Sequence, residues 1–215
     1  LKLQLLLTLL ILGINISFSQ TWVQQSSGTT LNLNSVYFID VNTGYIGADS
    51  GKVLKTTNGG ANWFISNTNI NRAIYSVLFV NAVTGFASTD NKVLKTTNAG
   101  LNWDTTINGG GHSISFINST TGYSAKRFYS FGLWKTTNSG STWDSVSFIF
   151  TTNSVWKIFF VNESVGYAAG SFWTMSFGGL YQAIIWKSTN SGFNWNGSFS
   201  SVVSGSYAAM KNLYF

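Results

Sequence analysis

Short apolar runs bounded by Gly, Asn or Ser alternate along most of the chain. Ser35–Asp40 is apolar on both faces, as in a short strand covered on both sides. Asn42-Thr43-Gly44 reads as a turn, Tyr45–Asp49 as a second strand, Ser50-Gly51 as a return and Lys52–Thr57 as a third strand. The Asn58-Gly59-Gly60 corner leads to a fourth strand carrying Trp63. First strands recur at Val77–Asn81, Ile114–Asn118 and Ile158–Asn162. Turn glycines recur at Gly44, Gly85, Gly122 and Gly166, each followed by Tyr or Phe. No stretch beyond the N-terminus has a 3.6-residue apolar period, so essentially no helix is expected there.

One phrase marks the period. Thr56–Trp63 returns as Thr96–Trp103 and Thr136–Trp143, and more loosely as Ser188–Trp195. Its frame is Ser/Thr, any residue, Asn, any residue, Gly, two residues, Trp. The tryptophans at 63, 103, 143 and 195 are spaced 40, 40 and 52 residues apart. Four short strands per period of this length predict one blade of a β-propeller, whose doubly apolar sheet needs a neighbour on each side. The fold class expected is all-β, a propeller of four-stranded antiparallel blades, with about four blades present and an incomplete ring. The blades are expected over about 35–67, 75–107, 113–148 and 157–199. Residues 21–26, with Trp22 at the spacing of a blade tryptophan, are expected to form the outer strand of a closing blade, and 211–215 to begin a further one. The repeated residues Asn58, Gly60, Trp63, Asn98, Gly100, Trp103, Asn138, Gly140, Trp143, Asn190, Gly192 and Trp195 are expected to be structural. Asn tolerates left-handed angles and its side chain can hold a turn, Gly permits positive φ, and Trp plugs the blade.

The frame resembles the Asp-box, or BNR, repeat of sialidase-like propellers, with Asn for the usual Asp. The fuller pattern combines Val36-Tyr37-Phe38, Gly44-Tyr45, Gly51–Gly60 and Trp63. It is most similar to the photosystem II assembly factor family (Ycf48/Hcf136-like) and related secreted bacterial propellers. The resemblance implies the fold over roughly 21–215. It is poor for function, because such repeats occur in hydrolases, receptors and scaffolds.

Composition narrows the setting. Charged residues are 8% and apolar residues 44% of the chain, so Asn, Ser, Thr and Gly must build the solvated surface. The net charge is +6, but the lysines spread along the repeats, with Lys55, Lys95, Lys135 and Lys187 each preceding the phrase. This reads as a solvated rim and argues against nucleic acid. Without cysteine, disulfides and thiolate metal sites are excluded. With a single histidine no metal site or cofactor is expected. Lys2, the apolar run Leu5–Ile16 and the small residues Ser17 and Ser19 resemble a secretory signal peptide over 1–19, too short for a stable membrane span. The expected location is secreted, at the cell surface or in the periplasm of a Gram-negative bacterium.

In propellers of this resemblance the fourth-to-first (D–A) and second-to-third (B–C) connections form the functional face. Aligning first strands puts Asn34, Tyr75, His112, Trp156 and Lys211 at one position near its mouth. Arg72 lies just upstream of Tyr75, and Lys126 and Arg127 fall in the third B–C hairpin. The fourth repeat carries its surplus of residues between Gly170 and Ile184, including Trp173 and Tyr181. Arg72, Tyr75, His112, Lys126, Arg127, Trp156, Trp173 and Tyr181 are therefore the candidate ligand residues, for a protein or glycan partner. The triplet Gly109-Gly110-Gly111 lacks a following helix and is not a phosphate loop.

A sialidase resembling these repeats would need an arginine triad, a Tyr–Glu pair and an acid/base Asp, and other glycosidases on this scaffold need two facing carboxylates. The chain has two arginines, Arg72 and Arg127, and one glutamate, Glu163, in a turn on the opposite face. Only Asp49 and Asp90 fall on the mouth face. The expectation is a non-enzymatic binding or scaffold module. The alternatives are a glycoside hydrolase with catalytic residues partly in absent blades, and an assembly factor for a membrane protein complex.

Overall fold

Residues 22–126, 132–146, 153–174 and 180–199 are described by the computed structural model. They form four antiparallel sheets of four strands each. The first contains β1 (Leu33–Phe38), β2 (Gly44–Ala48), β3 (Lys52–Thr56) and β4 (Phe64–Asn67). The second contains β5 (Ser76–Phe79), β6 (Gly85–Ser88), β7 (Lys92–Thr96) and β8 (Asp104–Gly109). The third contains β9 (Ser113–Phe116), β10 (Gly122–Ala125), β11 (Leu133–Thr136) and β12 (Asp144–Val146). The fourth contains β13 (Asn153–Phe160), β14 (Gly166–Thr174), β15 (Leu180–Ser188) and β16 (Asn196–Phe199). Strands lie in chain order within each sheet, and β1 packs on β5, β5 on β9 and β9 on β13. The first strands therefore gather at an axis and the sheets fan outward. The described residues thus form four blades of an all-β propeller, and among them no strand pairing closes the fourth blade onto the first. The helical content described is a three-residue 3-10 turn at Asp49–Gly51.

Some expectations need correction. Residues 22–27 join no described strand and Trp22 is fully exposed; the closing blade whose outer strand was expected at 21–26 is not among the described residues. A strand needs a partner edge, and no described strand offers one there. Gln25 instead lies against the corner at Gly60. The blade tryptophans do not sit within the fourth strand. Trp63, Trp103, Trp143 and Trp195 each immediately precede it. The expected signal peptide at 1–19 and the blade start at 211–215 lie outside the described residues.

The recurring phrase is a hydrogen-bonded corner. Thr56 Oγ1 accepts from the Gly60 amide at 2.9 Å and pairs with Asn58 Oδ1 at 3.0 Å, and that oxygen also accepts from the Asn62 amide at 2.9 Å. The bonds repeat around Thr96 and Asn98, Thr136 and Asn138, and Ser188 and Asn190. The hydroxyl explains why the frame opens with Ser or Thr. The asparagine's role is its side chain, not a left-handed backbone. Positive φ falls on the next two residues: Gly59 and Gly60, Ala99 and Gly100, Ser139 and Gly140, Ser191 and Gly192. The corner amide then joins the neighbouring A–B turn, as in Ala99 N to Val83 O at 2.8 Å, which puts both turn sets at the end of the blade away from the mouth.

The glycine two residues after the asparagine is also where blades meet. A Cβ at Gly100 would touch Tyr45 at 3.0 Å, one at Gly192 would lie 2.6 Å from the Tyr123 hydroxyl, and one at Gly140 would overlap Phe86. Each ring belongs to the second strand of the preceding blade. The same ring stacks on a phenylalanine in the first strand of its neighbour: Tyr45 on Phe79 with centroids 3.9 Å apart, Phe86 on Phe116 at 4.3 Å, Tyr123 on Phe160 at 5.2 Å. Phe79, Phe116 and Phe160 in turn meet the edges of Trp103, Trp143 and Trp195. Contacts of this kind contribute roughly 0.5–1.5 kcal/mol per pair beyond burial. Burial pushes the Tyr123 phenol up to about 12.

Two of the four repeated lysines complete the joint, which corrects their reading as a solvated rim, whereas Lys187 is exposed. Lys55 and Lys95 lie over the Tyr45 and Phe86 rings, and their Nζ atoms donate to Ala99 O at 2.9 Å and Ser139 O at 2.7 Å in the following blade. Tyr45 adds its hydroxyl to Ala99 O, and Tyr123 donates to Ser191 O at 2.7 Å. The first blade has no described predecessor. Its Phe38 and Val36 are 42% and 64% exposed, whereas Phe79 and Phe160 are 5% and 8% exposed.

Two measurements check this joint. Gly140→Ala adds a Cβ that collides with Phe86, whereas Gly59→Ala places alanine where Ala99 already sits at positive φ. Urea unfolding should show a loss of about 1–3 kcal/mol for G140A and about 1 kcal/mol or less for G59A. Equal losses would mean the glycine serves only its own backbone. Lys95→Met should lower stability by about 0.5–1.5 kcal/mol. Lys187→Met, which removes a cation over Tyr167 and no described hydrogen bond, should lower it less.

Candidate functional site

The mouth residues stand near the starts of the inner strands at one height. Tyr75 and His112 each precede a first strand, and their amides donate to Ser88 O at 2.8 Å and Ala125 O at 2.7 Å, the ends of the adjoining second strands. Trp156 sits at a register shift between Val155 and Lys157 in β13. The result is an aromatic ladder across three blades. Tyr75 and His112 stack with centroids 4.0 Å apart and planes 25° from parallel, and Trp156 meets His112 at 6.5 Å and 62°. All three are half-buried. The sequence alignment thus brought together residues 37 and 44 positions apart, and the structure confirms their contact.

Close backbone approach explains the glycine triplet. A Cβ at Gly110 would overlap the backbone at Asn91 and Lys92, and one at Gly111 would overlap Ala125 O. The connection from β8 to β9 is pressed between two B–C hairpins, which fixes His112 beside Tyr75.

The charged candidates behave differently. Arg72 Nη1 pairs with Asp90 Oδ2 at 2.7 Å, with side chains 51% and 44% exposed. An exposed pair of this kind is worth about 0–1 kcal/mol. Arg72 is thus committed to its own surface. In the first blade Asn34 stands at the ladder position, and Asn34 and Asn32 donate to Asp49 at 3.0 and 2.8 Å. These bonds, Asn34's first, hold the Asp49 carboxyl below its ordinary range. Lys126 opens the third B–C hairpin, its amide on Gly132 O and its carbonyl accepting from the Val155 amide. Arg127 lies outside the described residues. Trp173 and Tyr181 face each other in register in the hairpin of β14 and β15, which extends to Thr174 opposite Leu180. Their side chains are outside the described residues. The surplus of the fourth repeat is therefore a longer B–C hairpin, where the sequence placed it.

One residue at this end escaped the sequence reading. Lys157 lies one position below Trp156 and lines a cavity of about 460 Å³ between the four inner strands. The signal was available: the column Ser35, Ser76, Ser113 breaks to lysine in the fourth blade. Among the described residues no group of three or more His, Asp or Glu could hold a metal, and no helix is long and apolar enough to cross a membrane.

No protein-family model matches the chain, and no curated protein is similar to it at a significant level. Solved structures are similar in fold. An ancestral GH74 enzyme superposes with a TM-score of 0.56 at 18% identity, over 84% of this chain and 32% of that one. YCF48 from Cyanidioschyzon merolae superposes with a TM-score of 0.50 at 13% identity, over 83% of this chain and 88% of that one. The extracellular domain of the one-component system BT4673 from B. thetaiotaomicron gives 0.51 at 12% identity, over 78% of this chain and 27% of that one. The chain thus spans about a third of the GH74 enzyme's length, and at these identities the likeness establishes the propeller fold alone.

Proposed function

We propose that the chain is part of an exported, non-enzymatic propeller that binds a protein segment on the face carrying Tyr75, His112 and Trp156. The observation that carries this reading is the ladder itself: three half-buried rings in successive contact, held where the inner strands of three blades begin. Rigid aromatic groups lose little conformational freedom on binding and recur among residues that dominate interface energies. The stacking also bears on the ligand. With Tyr75 and His112 face to face at 4.0 Å, neither inner face is open to a sugar ring. A ladder whose rings cover one another suits aliphatic and peptide groups better than a line of stacked sugars.

The acidic residues support binding over hydrolysis. A glycosidase needs a carboxyl kept protonated facing a second carboxylate. Asp49 is instead stabilised as the anion by two asparagines, and Asp90 accepts from Arg72. The corner chemistry around Thr56, Asn58 and Trp63 supports the Asp-box-like assignment, and export rests on the leader-like segment at 1–19.

Peptide and glycan arrays probed with the chain test the reading. Tyr75→Ala and Trp156→Ala should each weaken capture of peptide by at least about tenfold, with the urea midpoint close to wild type. Capture unchanged in both variants would contradict the ladder as the binding surface. Capture confined to glycans would contradict the protein ligand.

A further inference from the structure

The cavity on the axis has a chemistry of its own. Its wall is formed by the four first strands and is largely apolar, with Val36, Val77, Leu78 and Phe159 among the lining side chains. None of the lining residues is acidic, and Lys157 is the one cation among them. In the neighbouring blades the equivalent residue is a serine that ties one inner strand to the next. Ser76 Oγ accepts from the Ile114 amide at 3.4 Å, and Ser113 Oγ accepts from the Ile158 amide at 3.2 Å. An ammonium group has no lone pair and cannot replace that acceptor. Lys157 has therefore left the tying role. The ion pair found among the described residues, Arg72 with Asp90, lies elsewhere, and no described group pairs with the Lys157 ammonium. Across the cavity, the buried Ser35 Oγ also has no described partner.

We propose that the axial cavity is a binding site for a small organic carboxylate, with the acid group on the Lys157 ammonium and the hydrocarbon body against the valine and leucine walls. A cavity of this size, mostly apolar with a few polar groups, has the character of a small-molecule site. Burial lowers the Lys157 pKa from its ordinary value, which is the cost of holding the charge with no counterion. A bound carboxylate would reverse that cost through a charge-assisted hydrogen bond. The apolar wall selects an organic acid over sulfate or phosphate, which would leave it unfilled. The site lies one residue deeper than the ladder and does not depend on the ladder binding anything.

The test is calorimetric titration and thermal unfolding of the intact chain with butyrate, succinate and sulfate at constant ionic strength. Butyrate and succinate should bind and raise the unfolding temperature, and sulfate should do neither. Lys157→Met should weaken binding by at least about tenfold. Lys157→Ser restores the residue its three sister blades carry and, if K157M does not fold, serves as the loss variant. The ¹³C shift of Lys157 Cε should titrate at higher pH with butyrate present. The proposal is overturned by absence of binding, by equal binding in K157S, or by sulfate matching butyrate.

Discussion

The stacking of a ring from one blade onto the corner glycine and inner phenylalanine of the next holds this structure together. A four-stranded sheet apolar on both faces cannot remain in water alone. Tyr45, Phe86 and Tyr123 bury one face of each blade against the next, and the corner left bare by glycine accepts them. Lysine and tyrosine donors then satisfy the carbonyl of the residue at positive φ, an acceptor that the tight corner turns towards the preceding blade. Local turn chemistry and blade-to-blade packing are therefore one feature. The phrase Ser/Thr-x-Asn-x-Gly builds the corner, and its glycine makes the corner a seat.

Placement of the mouth follows from that joint. Because the phenylalanine that receives each ring lies on the innermost strand, the stacking sets the height of that strand against its neighbour. Residues a few positions earlier on the same strands then arrive at equal height. Tyr75 and His112 can stack at 4.0 Å only if the second and third blades are in this register. The extra length of the fourth repeat does not disturb it, because the surplus is taken up at the open end of a B–C hairpin.

How much of this the sequence disclosed depends on the range of the interaction. The strands, turn glycines, blade number and hairpin extension are set within one repeat, and their pattern is visible there. The alignment of Tyr75, His112 and Trp156 was legible because each precedes the same apolar run. What joins repeats was not legible. Nothing local to Lys95 shows that its ammonium reaches Ser139, 44 residues on. Arg72 was legible as a cation at the mouth, but its commitment to Asp90 depends on two loops meeting. Trp22 has the spacing of a blade tryptophan, but the blade it would close is not among the described residues. Lys157 was hidden for the opposite reason, since its neighbour Trp156 drew the functional reading one position away.

Native-state hydrogen exchange at the four corner glycines tests the joint most directly. The amides of Gly60, Gly100, Gly140 and Gly192 make the same bond to a Ser or Thr hydroxyl. Three of them lie beneath a ring of the preceding blade, whereas Gly60 lies beneath the exposed Gln25. The account predicts that Gly100, Gly140 and Gly192 exchange at least about tenfold more slowly than Gly60. Equal protection at all four would show that each corner holds itself, and that stacking between blades does not organise the fold.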